Sequence, residues 1–222
     1  MKREDWDERY RAAELVWSAE PNRFAVAECA DLPAGHALDL ACGEGRNAIW
    51  LAERGWQVTA VDFSSVAVAR AEKIAQARGV SVAWQVADVL EYSPRECFFD
   101  LVLVMYLHMP WSDMRVAIGS AARAVAPGGM FLFVGHDRDN LEHGHGGPRD
   151  PAVLYSPEQV AGELAAFTIE RAERVRRRIA PSSDRTTHRH TGPDSSDDVF
   201  AIDNLVRAMR PLTDQDRILS KQ

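Results

Sequence analysis

Apolar and polar residues follow two rhythms along this chain, and the switches between them mark out its elements. His36–Ala41, Gln57–Val61, Val80–Val86, Phe99–Met105 and Gly129–Val134 are short, apolar-rich runs with the length of strands. Between them lie Glu44–Arg54, an alanine-rich segment from Ser64 or Ser65 to Arg78, and Asp113–Ala124, which read as helices. Gly55 and Gly79 stand where two of these helices should stop, and Ser64 or Ser65 where one should start. Residues 5–30 are also helical in pattern, through Leu15, Val16, Phe24 and Val26, with a break at Pro21. Strands alternating with helices of ten or more residues predict an α/β fold: a parallel sheet with helices on both faces.

The pattern changes after Gly135. His136–Tyr155 is rich in His, Gly, Asp and Pro without periodicity, and reads as a long loop of the kind that is usually functional. Ser156-Pro157-Glu158-Gln159 carries an N-cap, a proline at the first helical position and a capping-box Gln, opening a helix to about Ala166. Phe167–Ile179 predicts a long strand, and Arg185–His190 and Asp198–Ala208 further antiparallel strands. Turns are expected at Pro181–Asp184 and Gly192–Ser196. The sheet is therefore expected to be mainly parallel with an antiparallel C-terminal hairpin. No internal repeat or second domain is visible, so residues 1–222 are expected to form one unit: an N-terminal segment 1–35, a core 36–135 and a C-terminal part 136–222.

The chemistry begins where the first strand ends. Asp39-Leu40-Ala41-Cys42-Gly43-Glu44-Gly45-Arg46-Asn47 sets two glycines one residue apart between strand and helix, and the next strand runs into Asp62. Glycines let backbone turn tightly against a ligand, and an acid at the tip of the second strand can accept from both hydroxyls of a ribose. This is the pattern of a nucleoside cofactor site. A dinucleotide loop would place a third glycine where this chain has Ala48, so the glycines alone leave the nucleoside open. Asp39 tips the balance, because it would repel a pyrophosphate and attract a cationic ammonium or sulfonium. Val86-Ala87-Asp88-Val89 ends the third strand in another carboxylate, placed to accept from an adenine amino group.

Together with Phe99-Asp100-Leu101-Val102 and Ala126-Pro127-Gly128-Gly129, these pieces make the chain resemble the class I S-adenosylmethionine-dependent methyltransferases over about residues 36–135. Trp6-Asp7-Glu8-Arg9-Tyr10 resembles the lid helix of the small-molecule subgroup, which includes tellurite- and thiopurine-type enzymes. The resemblance implies a Rossmann-like fold, S-adenosyl-L-methionine as cofactor and a small-molecule methyl acceptor. It implies contacts to the cofactor from Asp39, Ala41, Gly43, Gly45, Asn47, Asp62, Phe63, Ser64, Asp88, Val89 and Leu90, with Trp6 and Tyr10 closing over the sulfonium.

Tyr106-Leu107-His108 follows the fourth strand, where methyl donor and acceptor should meet. Methyltransferases acting on base amino groups usually carry an N/D-P-P-Y/F motif there; Val104-Met105-Tyr106-Leu107 lacks it, so nucleic acid is not the expected acceptor. His108, His136 and Asp137 are the candidate proton-transfer groups, and Tyr106, His143 and His145 the candidate acceptor contacts. A structural histidine, a mobile polar loop and a metal cluster are rival readings of these residues; the spacing fits no fixed metal motif, and no metal is expected. Arg174, Arg176, Arg177 and Arg178 read as a solvated strand face or as a patch that steers an anionic acceptor.

Composition narrows the classes. A net charge of −7 disfavours a nucleic-acid backbone as main partner. No apolar run spans a membrane, and the N-terminus lacks an apolar signal region, so a cytoplasmic location is expected. Cys29, Cys42 and Cys97 are unclustered, which argues against disulfides and zinc. The expected reaction is methyl transfer to a hydroxyl or thiol of a small molecule, by a protein that could form homo-oligomers. A non-catalytic S-adenosylmethionine sensor or subunit and a NAD-dependent reductase are the alternatives; the second lacks its third glycine and a Tyr-x-x-x-Lys site.

Overall fold

The computed structural model describes residues 3–13, 15–16, 18–179 and 199–212. Two N-terminal helices, α1 (Arg3–Ala12) and α2 (Arg23–Cys29), precede the alternating part: β1 (His36–Leu40), α3 (Arg46–Glu53), β2 (Gln57–Asp62), α4 (Ser65–Ala77), β3 (Ala83–Val86), β4 (Phe99–Met105), α5 (Trp111–Ala124) and β5 (Val125–His136). A single turn, α6 (Asn140–His143), a 3₁₀ turn (Pro151–Val153) and α7 (Pro157–Gly162) lead to β6 (Thr168–Arg178) and β7 (Phe200–Met209).

The seven strands form one sheet in the order β3-β2-β1-β4-β5-β7-β6. The first five run parallel; β7 lies antiparallel between β5 and β6. This is the expected Rossmann-like architecture with its antiparallel hairpin. Successive residues of each strand face opposite sides, so both faces must be apolar in the central strands. On one face Leu38, Val102, Phe131 and Phe133 pack against Met114 and Ile118 of α5 and Val160 of α7. On the other, Ala37, Leu101, Leu103 and Val134 pack against Phe24 of α2 and Leu51 of α3.

Strand order reverses beside β1: the chain moves outward to β2 and β3, then returns to place β4 on the other side. Such a reversal splays the loops after β1 and β4 and opens a crevice at the carboxyl edge.

The expected elements differ from the observed ones mainly at their ends. The helical 5–30 region divides into α1 and α2, the second starting where the Asn22 side chain accepts from the Phe24 amide. The third strand shortens to Ala83–Val86, at the sheet edge beside β2. The helix expected to reach Ala166 stops at Gly162. The long loop is more ordered than its composition implies: β5 continues to His136, Asp137 bridges Tyr155, and the buried Asn140 side chain accepts from the Ile202 amide. The strand expected at Arg185–His190, and the turns at Pro181–Asp184 and Gly192–Ser196, lie outside the described residues.

The capping box of α7 forms as expected. Ser156 accepts from the Gln159 amide, and the Gln159 side chain accepts from the Ser156 amide. Ser156→Ala is expected to remove about 1 kcal/mol of stability. Thermal melts should show a midpoint lower by roughly 2–4 °C.

Candidate functional site

The turn after β1 forces three positive-φ positions on the backbone, at alternate residues: Ala41 (59°), Gly43 (55°) and Gly45 (75°). Position 45 excludes a side chain for a second reason, since a Cβ there would lie 2.5 Å from the Trp84 ring. Asp62, at the tip of β2, holds the turn: Oδ2 accepts from the Gly43 amide at 2.8 Å and Oδ1 from the Ser64 amide at 2.9 Å. The carboxylate is buried, and each oxygen keeps a lone pair for a sugar hydroxyl. Burial raises its acid above the usual carboxylate range, with Asp7 adding to the effect and the two amides opposing it.

Asp39 lies next door on β1, 1 % exposed. Its Oδ2 has no hydrogen-bond partner. Burial pushes the group up to about 7; Asp62 adds to this, while Arg46 and the Ala48 amide oppose it. An orphaned carboxylate oxygen in a buried site is costly, and a cation placed there would remove the cost. The residues therefore fit an adenosyl group with a positively charged amino-acid tail.

The remaining sequence candidates divide. Ser64 caps α4 by accepting from the Ala67 amide and donates to Asp7 of α1. Asp88 closes a turn: its Oδ1 accepts from the Leu90 amide at 3.0 Å, its carbonyl from the amides of Glu91 and Tyr92, and Val89 is buried beneath. Leu90 is 40 % exposed and Phe63 half-buried. Asn47 is engaged within the fold, accepting from the Asn22 amide at 2.8 Å and donating to Met105 Sδ at 3.4 Å, so its side chain ties the N-terminal segment to α3 and β4.

That segment is strapped down by residues the sequence pattern did not single out. Glu44 pairs with Arg70 at 2.6 Å and accepts from the Val16 amide at 3.0 Å, while Arg70 also donates to the Tyr10 carbonyl at 2.6 Å. Tyr10 is buried, with Trp6 5.6 Å away ring to ring and Arg9 over the Trp6 face. The sequence signal for Glu44 is its position alone, an acid between the two loop glycines.

A second cluster forms beyond β4. Tyr106 adopts φ 56°, with its amide donating to the Val134 carbonyl at 2.7 Å. Its hydroxyl donates to Oδ2 of Asp203 at 3.0 Å, and Arg177 Nε donates to the same oxygen at 2.6 Å. His136 Nδ1 stands 3.1 Å from Asp203 Oδ1, at ion-pair distance but without hydrogen-bond alignment. The His108 ring lies nearly parallel to that of His136, centroids 5.6 Å apart. Burial would raise the Asp203 acid, but the adjacent His136 imidazole and the hydrogen-bonded Arg177 guanidinium outweigh it and hold it below the usual range. Burial, aided by His136 and opposed by Asp203, pushes the His108 imidazole down to about 4.

Tyr106, His108 and His136 are thus brought together, and Asp203 and Arg177 join them. Asp137 turns away from this cluster. Its Oδ1 accepts from the Asp139 amide and from Arg174 Nε at 3.1 Å. His143 stands exposed beside Glu142, and His145 is exposed as well. Asp203 is absent from the residues the sequence singles out, though a charged residue inside the apolar run of a central strand is a readable signal. The sequence groups Arg177 with its neighbours as one basic face, whereas the structure turns it inward to Asp203. Among the described residues no group of three or more His, Cys, Asp and Glu side chains could hold a metal ion.

A doubly wound sheet with a glycine turn and two buried acids at its switch point defines a domain that binds a nucleoside cofactor. Residues 37–129 match the family described as Methyltransferase domain. The chain is 33 % identical over 128 residues to a demethylmenaquinone methyltransferase of Thermus thermophilus, covering 57 % of this chain and 52 % of that protein. It spans about half the length of the curated relatives it matches. Among solved structures, a protein described by the conversion of a disulfide bond into a thioacetal group during echinomycin biosynthesis superposes with TM-score 0.71 at 25 % identity, covering 99 % of this chain and 97 % of that one. The N-methyltransferase NodS from Bradyrhizobium japonicum, in complex with S-adenosyl-L-homocysteine, shares the fold with TM-score 0.67 at 22 % identity, covering 95 % of this chain and all of that one. Over residues 37–129 the chain thus matches a methyltransferase domain, on a fold it shares with a methyltransferase solved in complex with S-adenosyl-L-homocysteine.

Proposed function

We propose that this protein transfers the methyl group of S-adenosylmethionine to a hydroxyl or thiol of a small molecule, at the crevice between the loops after β1 and β4. The observation that carries the reading is the orphaned Asp39 oxygen beside the Asp62-held glycine turn, with Arg46 close enough to interact electrostatically with both Asp39 and Tyr106. When bound, the cofactor supplies an electrophilic methyl on a cationic sulfur. Asp62 would hold its ribose hydroxyls and Asp39 its ammonium, directly or through the loop. Phe63, Asp88, Val89 and Leu90 would surround the adenine. Trp6 and Tyr10 exclude water from the reacting atoms, and the cluster beyond β4 orients the acceptor.

A sulfur acceptor is the second reading, and the observation behind it is the nearly full-length neighbour described by disulfide-to-thioacetal conversion. Calorimetry with S-adenosylhomocysteine and, separately, with NAD should show saturable binding of the first only. Incubation with the methyl donor and a panel of hydroxyl and thiol compounds should yield a product heavier by one methylene in the mass spectrum. Binding without any product across the panel would favour a sensor, and NAD binding a reductase.

A further inference from the structure

We propose that Asp203 positions His136 as the base that removes a proton from a hydroxyl group of the methyl acceptor. This rests on the methyl-transfer reading and narrows its acceptor to oxygen.

The pairing is built into the sheet. Asp203 on β7 is the direct antiparallel partner of His136 at the end of β5, and its side chain is fully buried. Tyr106 and Arg177 Nε both donate to Oδ2, which leaves Oδ1 facing His136 Nδ1 at 3.1 Å, with Arg177 Nη2 at 3.4 Å from the same oxygen. A carboxylate on Nδ1 directs the imidazole to take a proton at Nε2 and stabilises the cation that results.

The Cδ2–Nε2 side of the ring is packed by backbone so close that only glycine fits there. Gly147 lies over it with φ 74°, and a Cβ at that position would sit 2.7 Å from Cδ2 and 2.9 Å from Nε2. Any side chain there would crowd the nitrogen that has to receive the proton. His108 is poorly placed to act as the base, because its Nε2 is buried without a partner and two stacked rings cannot both become cations cheaply. The charged and titratable groups facing His136 are Asp203 of β7, Arg177 of β6, and Tyr106 and His108 after β4; Asp137, next in the chain, is turned to Arg174.

The step balances simply. The acceptor oxygen forms a bond to the methyl carbon as the carbon–sulfur pair departs to sulfur, and the hydroxyl proton passes to His136 Nε2 and then to water. A thiol would not require this device, because thiolate is accessible near neutral pH.

The test compares the unsubstituted chain with H136Q and D203N. Calorimetry with S-adenosylhomocysteine comes first, and both variants are expected to bind within about threefold of the unsubstituted chain. Turnover of hydroxyl acceptors is expected to fall about 10²- to 10⁴-fold in H136Q. In D203N the kcat for hydroxyl acceptors is expected to fall about tenfold or more while KM changes no more than about threefold, because the imidazole loses the carboxylate that orients it. A merely structural Asp203 would instead raise KM and weaken S-adenosylhomocysteine binding together with the loss of kcat. Hydroxyl turnover unchanged in H136Q would overturn the proposal, as would a panel in which only thiols are methylated. If D203N does not fold, H136Q decides alone. Failure of the unsubstituted chain to bind S-adenosylhomocysteine at all would remove the methyl-transfer reading itself.

Discussion

Asp39→Asn is expected to make the ligand-free protein more stable and a poorer binder of the methyl donor. Buried Asp39 holds its proton up to about 7 in the fold, against an ordinary value of 3.8. Folding therefore favours proton uptake by this group, and stability falls as pH climbs from about 4 toward 7. Above 7 the carboxylate is charged in both states and the full penalty applies, on the order of 2–4 kcal/mol. Asparagine has nothing to ionise. Thermal melts should show the variant matching the unsubstituted chain near pH 3.5 and exceeding it by about 5 °C at pH 8. Calorimetry at pH 8 should show binding of S-adenosylmethionine weakened at least tenfold, since the cation loses its counter-charge. A variant that is destabilised at pH 8, or that binds undiminished, would contradict the role given to the orphaned oxygen.

Asp62→Ala is expected to lose most of the cofactor affinity. Each oxygen of this carboxylate already holds one amide of the site, and the ribose would add bonds to the same charged group. Two lost charge-assisted hydrogen bonds amount to about 3 kcal/mol or more, roughly a hundredfold in Kd. The Gly43 and Ser64 amides are also left without their acceptor, so a lower melting midpoint should accompany the change. The measurement is calorimetric titration with S-adenosylhomocysteine; unchanged affinity would remove Asp62 from the site.

The cofactor half of the molecule was legible because its signals are local. The glycines, Asp39, Asp62 and the strand before each acid lie close together in the chain, and alternating strands and helices leave few ways to arrange them. Even the cap at Ser64 and the box at Ser156 follow from neighbouring residues. The acceptor half was legible only in part. His108 and His136 could be named because both follow apolar strand runs, yet Asp203 lies far along the chain and reaches His136 only through the register of β7. Arg177 was hidden among arginines, since period-two alternation in β6 decides which of them turns inward. Asn47 shows the converse: a polar residue at the right place in a recognisable loop, whose hydrogen bonds hold the N-terminal segment.

The position of β7 between β5 and β6 has a consequence for the growing polypeptide. β6 is made first, but its partner in the sheet is a strand synthesised later. Until β7 arrives, β5 presents a long row of unpaired amides and carbonyls beside Phe131 and Phe133, an open template for pairing with other chains. The nascent protein is therefore open to aggregation until β7 has emerged, and shielding that one margin is what a chaperone would have to accomplish.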